Sequence, residues 1–141
     1  MDEAVADVFQ TMLEQSCPVV DNAYDLHTDI SARVTFSGTL EAQCVVAFPS
    51  RSAERLTCAF LGSCDGCNWD DAITADTVGE LCNMIAGGWK KRLDAPAASS
   101  DLSVPSIRRG PDLDAANAGT MRVSRTYAFG NSPFVVNLTK L

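Results

Sequence analysis

Apolar residues recur in two rhythms along this chain, and the switches between them outline its elements. From Glu3 to Glu14, Val5, Val8, Phe9, Met12 and Leu13 fall three and four positions apart, the spacing of one buried helical stripe. Cys17-Pro18 bars continuation, because the residue before a proline is pushed out of the helical region. Val19 to Thr28 fits an extended segment with little pattern. From Ile30 to Phe36 the period drops to two, with Ile30, Ala32, Val34 and Phe36 on one side. Ser37-Gly38 then turns the chain into a Val-rich stretch, Thr39 to Phe48, that ends at Pro49, so an antiparallel hairpin is expected. The helical rhythm returns from Ser50, whose hydroxyl suits an N-cap, to about Leu61, with Ala53, Leu56, Ala59 and Phe60 inward and Gly62 as the stop.

The longest periodic segment is Ala72 to Leu93. Asp71 or Thr74 is available to cap its start, and Lys90, Lys91 and Arg92 gather at the end where the helix dipole favours cations. Ala95 to Ser100 is a small-residue connector. Leu102 to Arg108 reads as a strand whose Pro105 belongs at an edge or a bulge, and Arg109 to Gly119 as a loop. Met121 to Phe129 and Phe134 to Thr139 flank Gly130-Asn131-Ser132-Pro133 as a second hairpin. Paired strands with helices between the pairs make an α+β fold: a largely antiparallel sheet with helices packed on one face, residues 1–141 forming a single domain.

On the long helix, Val78, Leu81, Cys82, Ile85 and Trp89 share the side that packs on the sheet. Opposite them, Asp76, Glu80, Asn83, Gly87 and Lys90 follow one another at intervals of three or four, so Glu80 and Asn83 project side by side. Glycine costs a helix interior about 1 kcal/mol relative to alanine. Gly79 beside Glu80, and Gly87 one turn beyond Asn83, keep the surface around the pair low, as close approach of another backbone requires.

Composition narrows the function. Eleven basic against eighteen acidic residues give a net charge of −7, which disfavours nucleic acid and anionic membrane, since both need a basic surface. Asp2, Glu3 and Asp7 stand where a secretory signal carries basic residues, and no stretch has the ~20 apolar residues that cross a bilayer, so a cytoplasmic location is expected. The six cysteines are accordingly read as reduced thiols. Cys64-Asp65-Gly66-Cys67 has the spacing of half a zinc knuckle or a redox pair, but no second pair completes a metal site and Asp65-Gly66 is ordinary turn chemistry. His27 has no Ser and Asp arranged around it in sequence. Arg108-Arg109 reads as a solvated loop, and Trp69 and Trp89 as packing residues.

The run Thr77-Val78-Gly79-Glu80-Leu81-Cys82-Asn83-Met84-Ile85-Ala86-Gly87 resembles the Glu-x-x-Asn signature of the CheC/CheX phosphatase family. Leu102-Ser103-Val104-Pro105, with Gly110 beyond, resembles that family's Leu-Ser-x-Pro segment. Gly88-Trp89 departs from the pattern after the helix glycine, and one motif rather than two makes the chain similar to CheX rather than CheC. The resemblance implies a phosphatase for the aspartyl phosphate of a CheY-like response-regulator receiver. Asn83 would place the attacking water, and Glu80 would pair with the receiver's active-site lysine. Asp76, Gly79, Gly87 and Lys90 would border the docking surface. No cofactor of its own is expected, the Mg2+ lying in the receiver, and CheX-like pairing of two copies by sheet extension is a further expectation. A binding module that docks without accelerating hydrolysis is the other open reading.

Overall fold

The computed structural model describes residues 2–13, 16–20, 27–62, 71–93, 100–110 and 121–140. In chain order its elements are α1 (Asp2–Leu13), β1 (Ile30–Ser37), β2 (Ala42–Phe48), α2 (Ser50–Leu61), α3 (Asp71–Lys90), β3 (Asp101–Leu102), β4 (Ser106–Arg109), β5 (Met121–Phe129) and β6 (Ser132–Lys140). The strands form one six-stranded sheet ordered β3-β1-β2-β6-β5, with β4 also pairing β1. These strands pair antiparallel throughout, from Ile30 opposite Phe48 to Phe129 opposite Ser132. The expected fold class is the one observed.

One sheet face is built by the period-two positions. Ile30, Ala32, Val34 and Phe36 of β1, and Ala42, Cys44, Val46 and Phe48 of β2, are all buried in the common core. α3 lies across this face, its Val78, Leu81, Cys82 and Ile85 inaccessible and Trp89 edge-on to Phe36 with ring centroids 5.1 Å apart. The Cys82 Sγ reaches the carbonyls of Ala32 and Cys44, each at 3.5 Å, which ties the helix to β1 and β2. At the other end, Phe9 of α1 stacks against Phe134, and Phe134 against Phe48 at 4.8 Å. Rings of this area dominate the burial that stabilises a small core.

Local signals set the element ends. Gly62 takes a left-handed conformation (φ 73°) and its N–H donates to the Cys58 carbonyl, so α2 stops where the glycine allows. Its beginning differs from the expectation: Pro49 occupies the cap position without a side-chain bond, and Ser50 is already helical. The capping group comes from Asp29, whose Oδ2 accepts from the Ser50 N–H at 2.8 Å and from its hydroxyl at 3.0 Å. α3 starts at Asp71, which places Thr74 inside the helix and removes it as the cap. At the far end Arg92 donates to the Gly88 carbonyl at 2.8 Å and pairs with Asp7 and Glu3 of α1, so the basic terminus both completes α3 and clasps α1.

The strand expected at Leu102–Arg108 is two short ones. Ser103, Val104 and Pro105 leave the ladder between β3 and β4, as proline's missing N–H dictates. The departure is held at its base, where Ser103 N–H donates to Thr35 O and Thr35 N–H donates to Ser103 Oγ, both at 2.9 Å. Val19 makes an isolated bridge to Tyr127 on the opposite edge. Cys64, Cys67, Trp69 and the loop beyond Gly110 lie outside the described residues.

Candidate functional site

A helix rises ~1.5 Å per residue, so Glu80 and Asn83 are separated by about 4.5 Å along α3 and by about 60° around it. Both are exposed, as is Asp76, while Gly87 and Lys90 are half-exposed. The polar stripe therefore stands on the outer side of a helix whose inner side is sealed against the sheet. A carboxylate acceptor and a carboxamide with both donor and acceptor atoms are brought together there. Among the described residues neither side chain has an intramolecular partner, and no cluster of histidine, cysteine, aspartate and glutamate suits a metal ion.

Gly79 is used differently from its expected role in lowering an open surface. It is buried, and a Cβ placed on it would meet Ile107 Cδ1 at 3.3 Å and Pro105 Cβ at 3.4 Å. The close approach that it permits is by the side chains of Pro105, between β3 and β4, and Ile107 of β4, in its own chain. Gly87 does the reverse. Nothing lies within 4 Å of a Cβ built there, and the residue opens onto a groove between α3 and α1. Gly88, also in that groove, faces Ala4, whose Cβ would lie 3.5 Å from a Cβ built on the glycine, so small residues stand where the two helices meet.

Met12 is a second correction. It sits within the apolar arc of α1, yet it is 52% exposed, because the groove beside it is floored by Gly87 and Gly88, which offer no side chain to cover it. The groove encloses about 730 Å³ and is also lined by Thr11, Asn83 and Met84. The α1 contribution to this surface was not visible in the sequence pattern, which assigned Met12 to the core. Its signal was the glycine pair opposite.

Other candidate groups fall away from the stripe. His27 pairs with Asp29 at 3.1 Å. The Ser50 N–H, followed by the Ser50 hydroxyl and His27, holds the Asp29 carboxyl below its ordinary pKa. Burial pushes the Cys17 thiol up to about 12. The Cys44 thiol is raised by its hydrogen bond with Cys82 and by burial, so it acts as an inert core group. Tyr127 is likewise raised by burial and by its 2.5 Å bond to Asp2.

Residues 30–127 match the family model described as "Chemotaxis phosphatase CheX". A curated relative from Thermotoga maritima, named "CheY-P phosphatase CheX", is 22% identical over 137 residues, covering 97% of this chain and 88% of that protein. A CheX crystal structure from Desulfovibrio desulfuricans superposes with a TM-score of 0.79 at 21% identity, covering 99% of this chain and 95% of that one. The CheX–CheY–BeF3–Mg2+ complex from Borrelia burgdorferi gives a TM-score of 0.72 at 18% identity, with 97% and 92% covered.

Proposed function

The chain belongs to the CheX family of chemotaxis phosphatases, and we propose that it hydrolyses the aspartyl phosphate of a CheY-like receiver with Asn83 and Glu80 as its working groups. The observation that carries this reading is the exposure of both side chains, one turn apart, on the outer face of a helix fixed by its buried side.

In the reaction, the water oxygen forms a bond to phosphorus as the bond to the aspartyl oxygen breaks. The receiver's carboxylate leaves with that electron pair, and the water's protons pass to phosphate and solvent. The Asn83 carbonyl accepts from the water while its NH2 donates to a neighbouring acceptor, holding the oxygen in line without adding charge near the phosphoryl group. Glu80 pairs with a lysine of the receiver and sets the register of α3 against the pocket. In this reading the phosphatase needs no metal of its own, and Mg2+ belongs to the receiver. Asp76, Gly87 and Lys90 border the approach, Gly87 by leaving room.

Receivers of this kind work in the cytoplasm, and no helix among the described residues is long and apolar enough to cross a membrane. Two copies pair by extending the sheet at the outer edge of β5, where among the described residues 18–20 cover Thr126 to Ala128. Light scattering tests that pairing.

Phosphate release from a phosphorylated CheY-like receiver, with and without the protein, tests the activity. Wild type accelerates release, Glu80→Lys raises the receiver concentration needed for half-maximal rate, and a receiver that binds with no acceleration would leave only the docking module.

A further inference from the structure

Polar contacts at a phosphorylated pocket fix geometry, but affinity between proteins rests largely on a few desolvated apolar anchors. The exposed apolar side chains of this molecule are unevenly placed. Seven large ones are exposed among the described residues, and four of these lie on α3 or on the parts of the chain that flank it: Ile73 on α3, Met12 on α1, and Val104 and Ile107 on the β3–β4 side. Singly scattered exposed apolar residues are ordinary on a protein surface; a group around one polar pair is not.

Ile73 lies two turns before Glu80 on the same side of α3. Val104 is 83% exposed, the most of any large apolar residue described, on the segment that leaves the sheet at Pro105. That segment is pinned to Thr35 at one end, and at the other Pro105 sits beside Gly79, where a Cβ built on the glycine would lie 3.4 Å from Pro105 Cβ. Val104 and Glu80 are thus each one chain step, ~3.8 Å between Cα atoms, from residues in mutual contact. On the far side of the stripe, Met12 overlooks the groove that Asn83 lines.

We infer that Met12, Ile73, Val104 and Ile107 form an apolar rim around the polar pair, and that this rim grips apolar residues surrounding the phosphorylated pocket of the receiver. The inference rests on the receiver reading and deepens it by separating two tasks. Glu80 and Asn83 set register and chemistry, and the rim supplies affinity.

The test uses a CheY-class receiver in two forms, phosphorylated by a small phosphodonor for turnover and beryllofluoride-loaded for binding. Val104→Asp and Met12→Asp alter exposed positions, and circular dichroism checks that they stay folded. Each is expected to raise both Kd and KM about ten-fold or more while kcat stays within about two-fold, the effect of losing an interface anchor. Val104→Ile restores wild-type binding, and Leu61→Asp, a 51% exposed position at the end of α2, leaves it unchanged. Normal Kd and KM in both rim variants, with wild type active, overturn the rim alone. Absence of wild-type turnover with the rim variants still weakened in binding overturns the phosphatase reading and leaves the rim standing.

Discussion

Asn83 and Gly87 face the same surface, and physical chemistry separates their contributions. Asn83 is exposed, so Asn83→Ala removes no packed group, and thermal melting should be unchanged. Loss of an oriented water is expected to cost on the order of 3 kcal/mol in the barrier, a hundred-fold or more in rate. Gly87 has open space where a Cβ would go and an ordinary backbone, so nothing internal requires glycine there. Gly87→Ala should therefore stabilise the helix by about 1 kcal/mol and raise Tm by about 3 °C, while slowing dephosphorylation because the methyl group enters the approach surface. A Gly87→Ala protein that is less stable would show that the glycine serves the fold. Gly79→Ala is a contrasting case. The helical gain is offset by displacing Ile107 Cδ1, the end of a flexible and partly exposed side chain, so a stability change within about 1 kcal/mol is expected in urea titration.

At the scale of elements, the sequence disclosed what neighbours along the chain decide. The α3 stripe, the β1 alternation and the Gly62 stop all depend on residues within a turn or two, and each appears where its pattern puts it. What the pattern missed depends on elements meeting. Ser50 has the residue type of a cap, but Asp29, 21 residues earlier, approaches through β1 and takes that role, displacing Ser50 by one position. Met12 belongs to an apolar arc, and only the α1–α3 crossing over two glycines leaves it uncovered. Gly79 looked like a feature of the outer surface because the return of the β3–β4 segment cannot be read from a local window. The Asp29 cap has a pH signature. Its folded carboxyl has a lowered pKa, so its stabilisation is whole above the unfolded value of ~4 and is lost as pH falls through the lower folded value. Asp29→Asn should flatten the acid limb of the stability curve measured by denaturant titration.

Across the whole molecule, a core sealed on one sheet face carries the site on its outside, so chemistry and stability can vary independently. Buried Cys17, Cys44 and Cys82 report on that core: their alkylation should await global unfolding, whereas half-exposed Cys58 reacts in the native state. Labelling of Cys82 in folded protein would mean that α3 lifts from the sheet, and with it the frame that orients the working pair. That frame matters only if the carboxamide it presents handles the attacking water. The most direct measurement is phosphate release from a phosphorylated CheY-like receiver by Asn83→Ala protein already shown to bind the beryllofluoride-loaded receiver with wild-type affinity. The account predicts release at the receiver's own unassisted rate; release at the wild-type rate would contradict it.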